Sequence, residues 1–189
     1  ASAGAKSLSL PLFRYLGGMH AHQMPVPMMN ILNGGAHASN TVDLQEFMIM
    51  PVGAEGFAHG LQMCAEIYHT LKKILDARGL STGVGDEGGS AADLEDAAAV
   101  LFLISEATEK AGYQMGKDIV IALDAAASEL FQEEKGAYFF PGESRMKGTE
   151  VCRTAQEMIG YLEELCSQFP IASIEDGLDE NDWTGWAEL

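Results

Sequence analysis

Apolar positions along the 189-residue chain fall into short continuous runs and into stripes spaced by three and four. The run "PVPMMNILNGG", closed by Asn33-Gly34-Gly35, predicts a strand, and "LQEFMIMP" predicts a second, stopped by Pro51. Phe57, Leu61, Cys64, Tyr68, Leu71 and Leu75 then form the stripe of an amphipathic helix, with Gly79 as its C-terminal cap. After a glycine-rich stretch, Leu94, Ala97, Leu101 and Ile104 mark a second helix that ends at Gly112. "DIVIALD" reads as a buried strand ending in Asp124, and "ELFQEEKGAYFFPGE" as a hairpin-like insertion. Val151, Ala155, Met158, Leu162, Leu165 and Phe169 predict a third helix with Thr149 as N-cap. "IASIED" is another buried strand, and "NDWTGWAEL" opens a further helix.

Two strands, two helices, then strand, helix, strand, helix predict an α/β fold: a parallel sheet covered by helices. Four strands leave an open edge, and a complete (β/α) barrel takes about 250 residues. The order therefore reads as part of a barrel cut at both ends, with a complete open α/β sheet as the rival. Residues 1–22 read as the end of a preceding unit, because there is no initiator Met and "LGGMHAHQ" has the character of a turn and linker.

Composition narrows the partners. Hydrophobic residues make up 47% of the chain, which is globular. With 28 acids against 11 bases, the formal net charge is -17, so neither nucleic acid nor an anionic membrane is an expected partner. Anionic substrates are repelled too, unless cations offset the charge locally. The longest apolar run, "AAAVLFLI", is too short to cross a bilayer, and the N-terminus lacks the pattern of a signal peptide. Three cysteines, Cys64, Cys152 and Cys166, form no CxxC pair and fit a reducing cytoplasmic compartment. Each falls in a helical pattern, so packed thiols are expected.

Candidate chemistry gathers at predicted strand ends, where parallel α/β folds place their sites. Asp124 follows "IVIAL" and Glu175 follows "IASI", with Asp176 next. A carboxylate ending a buried strand needs a cation or strong hydrogen bonds. Either one alone is as well explained by a helix cap or a loop ion pair; the two together favour a divalent cation, and all-oxygen ligands suit Mg²⁺. "TGVGDEGGS" holds the G-x-G-x-x-G spacing at Gly83, Gly85 and Gly88. It follows a helix instead of a strand, and Asp86 and Glu87 would face a phosphate's charge, so the dinucleotide reading fails. A glycine-lined loop presenting a general acid remains, beside the plainer reading of an acid-rich turn before a helix. His37 lies in a glycine-rich loop after the first strand. Gln45 and Glu46 open the second strand and point to opposite faces if it is regular. His20, His22, His59 and His69 read as surface or packing residues.

Four stretches, "NILNGGAHASNTVDLQEFMIMPVGA", "VGDEGG", "ALDAAASE" and "SIEDGLDENDW", closely resemble enolases of the bacterial type. The similarity runs in order from about residue 11 to the end, at the family's spacing. It implies a smaller capping domain ending at residues 1–22, and the first half of an enolase-type (β/α)8 barrel with a ββαα start over residues 23–189. It also implies a Mg²⁺-dependent lyase of glycolysis that reversibly dehydrates 2-phosphoglycerate to phosphoenolpyruvate. By the same resemblance, Glu87 is the acid that helps the hydroxyl leave and Glu46 assists beside it. Gln45 and His37 face the substrate, and Asp124 and Glu175 are two of three carboxylates on the tighter Mg²⁺. A homo-oligomer when complete, in the cytoplasm with a secondary cell-surface or secreted pool, is the implied setting.

The stretch "GDEGGSAADL" departs from relatives, which usually carry an aromatic or aliphatic residue and then Ala-Pro, so loop closure or stability is expected to differ. The family's third metal carboxylate, its base lysine, a second lysine, the Arg-Ser pair that holds phosphate and the capping-domain loop are not in the sequence. Loss of a base costs about 10² to 10⁴ in rate, so negligible turnover is expected of these 189 residues alone. Two other readings stay open: a non-catalytic interaction protein on a half-barrel, and another metal-dependent member of the superfamily.

Overall fold

The first strand, β1 (Met29–Asn33), and the second, β2 (Glu46–Met50), pair antiparallel. The computed structural model describes residues 1–35, 38–85 and 88–189, with backbone only at 84–85. From the far end of β2 the chain returns along α3 (Phe57–Ala77) to a short hairpin, β3 (Val84–Gly85) and β4 (Gly88–Ser90). It descends again along α4 (Ala97–Lys110) before entering β5 (Val120–Asp124). The two helices cancel each other's direction, so β5 runs antiparallel to β2. Only then does a crossover whose long helix is α7 (Ala155–Gln168) bring β9 (Ile171–Glu175) parallel to β5. The sheet order is β3-β4-β1-β2-β5-β9. The expectation of a parallel sheet is corrected to a mixed one, and the long elements open in the order ββαα that the resemblance implied.

One face of this sheet carries the core. Along β2, Phe47 and Ile49 are fully buried and join Ile121 and Leu123 of β5. Against them lie Met63, Ile67 and Leu71 of α3, with Leu101 and Ile104 of α4. The alternate positions, Glu46 and Met48 on β2 with Ala122 and Asp124 on β5, form the other face. Between β5 and α7 lies an insertion: α5 (Ala127–Leu130), β6 (Phe131–Gln132), β7 (Ala137–Phe139), α6 (Pro141–Lys147) and β8 (Cys152–Arg153). β6, β7 and β8 make a separate small sheet, as the hairpin-like reading anticipated.

Several local expectations are corrected. Residues 1–22 hold two short helices, α1 (Ser2–Ser7) and α2 (Leu12–Gly17), and a 3-10 turn at Gly18–His20. The third long helix is capped by Thr154 and not Thr149, since Thr154 and Glu157 form a reciprocal capping box. Leu94 precedes its helix, which Asp96 caps through a bond from the Ala99 N–H. Gly79 and Gly112 do take positive φ, just past the ends of α3 and α4. Of the cysteines only Cys64 is packed; Cys166 is exposed, and Cys152 lies half-buried on β8, not on a helix. A last helix, α8 (Trp183–Glu188), is capped by Asp182. Among the described residues no helix is long and apolar enough to cross a membrane.

Candidate functional site

The antiparallel insertion of β2 has a chemical consequence. Because β2 runs against its neighbours, its first residue meets their last ones. Asn33, Glu46, Asp124 and Glu175 are therefore register partners in one row across β1, β2, β5 and β9. Register partners project to one face of a sheet, so three carboxylates share one end and one side of it. Glu46 and Asp124 are half-buried and Glu175 is exposed.

Asp124 is held firmly. Its Oδ1 accepts from the Ala126 N–H at 2.9 Å and its Oδ2 from the Gln45 Nε2 at 3.0 Å. The Gln45 backbone N–H donates to the Asp124 carbonyl at 3.0 Å. Gln45 stands just outside β2, so the alternation that separates it from Glu46 does not apply, and both adjoin Asp124. Past the two strand ends the backbone is unusual. Ala126 takes φ 43° and Asp176 φ 49°, left-handed values that cost a residue with a Cβ about 1–2 kcal/mol. Both are fixed by the ladder continuing beyond the strands: Ala125 N–H donates to Glu175 O at 3.0 Å, and Ala127 N–H to Asp176 O at 2.9 Å.

Partial desolvation, then the charges of Asp124 and Asp176, push the Glu175 carboxyl above the usual carboxylate range. A cation beside the row would relieve that repulsion. The donor chemistry is all oxygen, which fits a hard divalent ion. Among the described residues, however, no three His, Cys, Asp or Glu side chains form a group able to hold a metal ion. Asp124 and Glu175 thus fit as part of a ligand set.

His37, Asp86 and Glu87 lie outside the described residues. The segments on either side of them are tied to β1. Asn33, 1% exposed, accepts from Asn30 Nδ2 through its Oδ1 and donates through its Nδ2 to the Gly88 carbonyl. Asn40 Nδ2 donates to the carbonyls of Asn33, at 2.8 Å, and Ala92, at 3.1 Å. Gly89, at φ 68°, lies so close to β1 that a Cβ there would stand 3.0 Å from the Leu32 nitrogen. A cavity of about 390 Å³ borders Gln45 and runs between Ala38–Val42 and Pro141–Arg145, to one side of the carboxylate row. The sequence reading missed Asn33 and the strained Ala126. A buried Asn inside "NILNGG", where a polar group needs partners, was the available signal. The other histidines, His20, His22, His59 and His69, are exposed and away from the row.

The family model described as the enolase C-terminal TIM barrel domain matches residues 21–189.

Proposed function

The chain belongs to the family of the enolase C-terminal TIM barrel domain, and on that footing we propose that it supplies part of the active site of an enolase of the bacterial type, a lyase of glycolysis. The reaction is the reversible dehydration of 2-phosphoglycerate to phosphoenolpyruvate. The observation that carries the reading is the row of Glu46, Asp124 and Glu175 at one end of the sheet. In this reading Asp124 and Glu175 are ligands of a Mg²⁺ ion. When bound, the ion offsets the negative charge of the substrate and the charge that develops when a proton leaves the carbon beside its carboxylate. Gln45 binds substrate and keeps one Asp124 oxygen directed. Glu46 and Glu87 act on the departing hydroxyl, Glu87 as the acid that protonates it, and His37 faces the substrate.

The proposal extends to the setting. Residues 1–22 are the end of a capping domain and residues 23–189 the first part of the barrel, working in a cytoplasmic homo-oligomer. Among the described residues no lysine stands at a strand end, since the lysines are at 6, 72, 73, 110, 117, 135 and 147. The 189 residues alone should therefore turn over negligibly, for want of a base.

The test follows the ultraviolet absorbance of phosphoenolpyruvate formed from 2-phosphoglycerate and Mg²⁺. This chain is run beside a version extended through the rest of the barrel and the capping domain. Turnover in the extended form only supports the proposal; turnover in neither overturns it.

A further inference from the structure

Gln45 owes its place to a segment that is gripped from two sides. On one side, Thr41 Oγ1 donates to the Leu94 carbonyl at 2.7 Å and accepts from the Leu94 N–H at 2.9 Å. On the other, Asp43, 8% exposed, accepts from the Gly142 N–H at 2.7 Å and the Glu143 N–H at 2.8 Å, one on each oxygen. The approach is close: a Cβ on Gly142 would overlap the Thr41 carbonyl. Between the grips and the site lies Leu44, 1% exposed and locked in the core. Next comes Gln45 with its two bonds to Asp124.

The second grip is itself anchored. Glu143, 1% exposed, accepts from Arg153 Nη2 at 3.1 and 2.9 Å and from Lys147 Nζ at 2.9 Å. The Arg153 guanidinium lies 4.0 Å from the Phe140 ring centre and 4.1 Å from that of Tyr161. Helix α6 is thus a fixed point. Asp43 transfers that fixity to residue 45, two positions along the chain, and Asp43 and Gln45 border the same cavity.

We propose that Asp43 is a positioning residue: by clamping the Thr41–Gln45 segment onto the start of α6, it sets the Gln45 amide against the Asp124 carboxylate. Its importance for catalysis rests on the proposed enolase function, whereas the clamp itself does not. A merely structural Asp43 would stabilise α6 and leave Gln45 where it is.

The experiment reads hydrogen exchange of the Gln45 side-chain NH₂ by NMR in the 189-residue chain, without metal or substrate. In Asp43→Ala this exchange should quicken by about fivefold, the size of one weakened hydrogen bond. Asp43→Asn, with one acceptor oxygen in place of two, should fall between Ala and the parent. Thr41→Val, which removes the opposite grip, should quicken it as well and covers the case in which Asp43→Ala does not fold. An unchanged Gln45 signal in folded Asp43→Ala or Asp43→Asn overturns the clamp. Because no metal or substrate enters, the enolase reading can fail while the clamp stands. Normal turnover of the extended chain, with Gln45 unaltered in Asp43→Asn, would remove the clamp and leave that reading intact.

Discussion

Glu46 and Asp124 stand opposite one another across the antiparallel β2–β5 pair. Like charges directly opposed in a ladder weaken the sheet by a few tenths to about 1 kcal/mol. The proposed Mg²⁺ would offset that cost. In the absence of divalent ions, Glu46→Gln should raise stability by about that amount, measured as the urea midpoint in a chelating buffer. With saturating Mg²⁺ the gain should shrink. A Glu46→Gln chain less stable than the parent in chelator would contradict this account of the row.

The Glu143–Arg153 pair supports the second grip, and its removal is expected to be costly. Arg153→Met leaves Glu143 buried with the Lys147 ammonium still beside it. Loss of one member of a buried pair costs about 3–5 kcal/mol, and the remaining lysine places this case at the lower end. Glu143→Leu combined with Arg153→Met should recover most of the loss, because both charges go together. Urea denaturation of the three chains checks it; a double variant as unstable as the single would contradict it.

Asp43 also gives a pH dependence. Burial raises its carboxyl above the ordinary value of 3.8, outweighing the bonds from Glu143 and Gly142 that lower it. With the folded value raised, its stabilising contribution is complete below the unfolded pKa and is lost as pH climbs through the folded one. Stability of the parent relative to Asp43→Asn should therefore fall as pH rises above the ordinary value of 3.8. Urea midpoints at about pH 4 and pH 7 measure the difference. A difference that is flat, or that grows in favour of Asp43, would contradict the assignment.

The thiols should separate cleanly under an alkylating reagent. Cys166 is exposed and should label first; Cys152, half-buried and bonded to Glu150 Oε1 at 3.3 Å, should follow. Cys64 is fully buried, and burial pushes its thiol up to about 11, so it should label only once the chain unfolds. Mass spectrometry of peptides after timed labelling gives the order.

Much of the fold was legible because apolar period and punctuation agree. The helix read from the stripe through Leu61, Cys64, Tyr68 and Leu71, ended by Gly79, is α3, but its buried face runs through Met63, Cys64, Ile67, Leu71 and Ile74, and Leu61 is exposed. What periodicity could not show was direction. "EFMIM" is equally apolar whichever way it runs, and only the count of helices between strands decides that β2 is antiparallel. Asp124 and Glu175 were readable as carboxylates closing apolar runs. Their alignment with Glu46 was not, because register is set by pairing across the sheet. Likewise Asp43 reads as one more acid in an acidic chain until α6, nearly 100 residues later, donates two N–H groups to it. An apolar stripe reaching back to Val151 points to Thr149 as the cap, whereas the capping box that the structure forms joins Thr154 and Glu157.

The most direct test of the central claim, that Asp124 and Glu175 hold a divalent cation, is paramagnetic broadening of the NMR spectrum of this chain by Mn²⁺. The method detects weak binding, as expected of a partial ligand set. The account expects broadening centred on residues around 124 and 175, displaced by excess Mg²⁺ and lost in Asp124→Asn with Glu175→Gln. Broadening spread over exposed acids such as Glu133, Glu134, Glu163 and Glu164, and unchanged in that double variant, would contradict it.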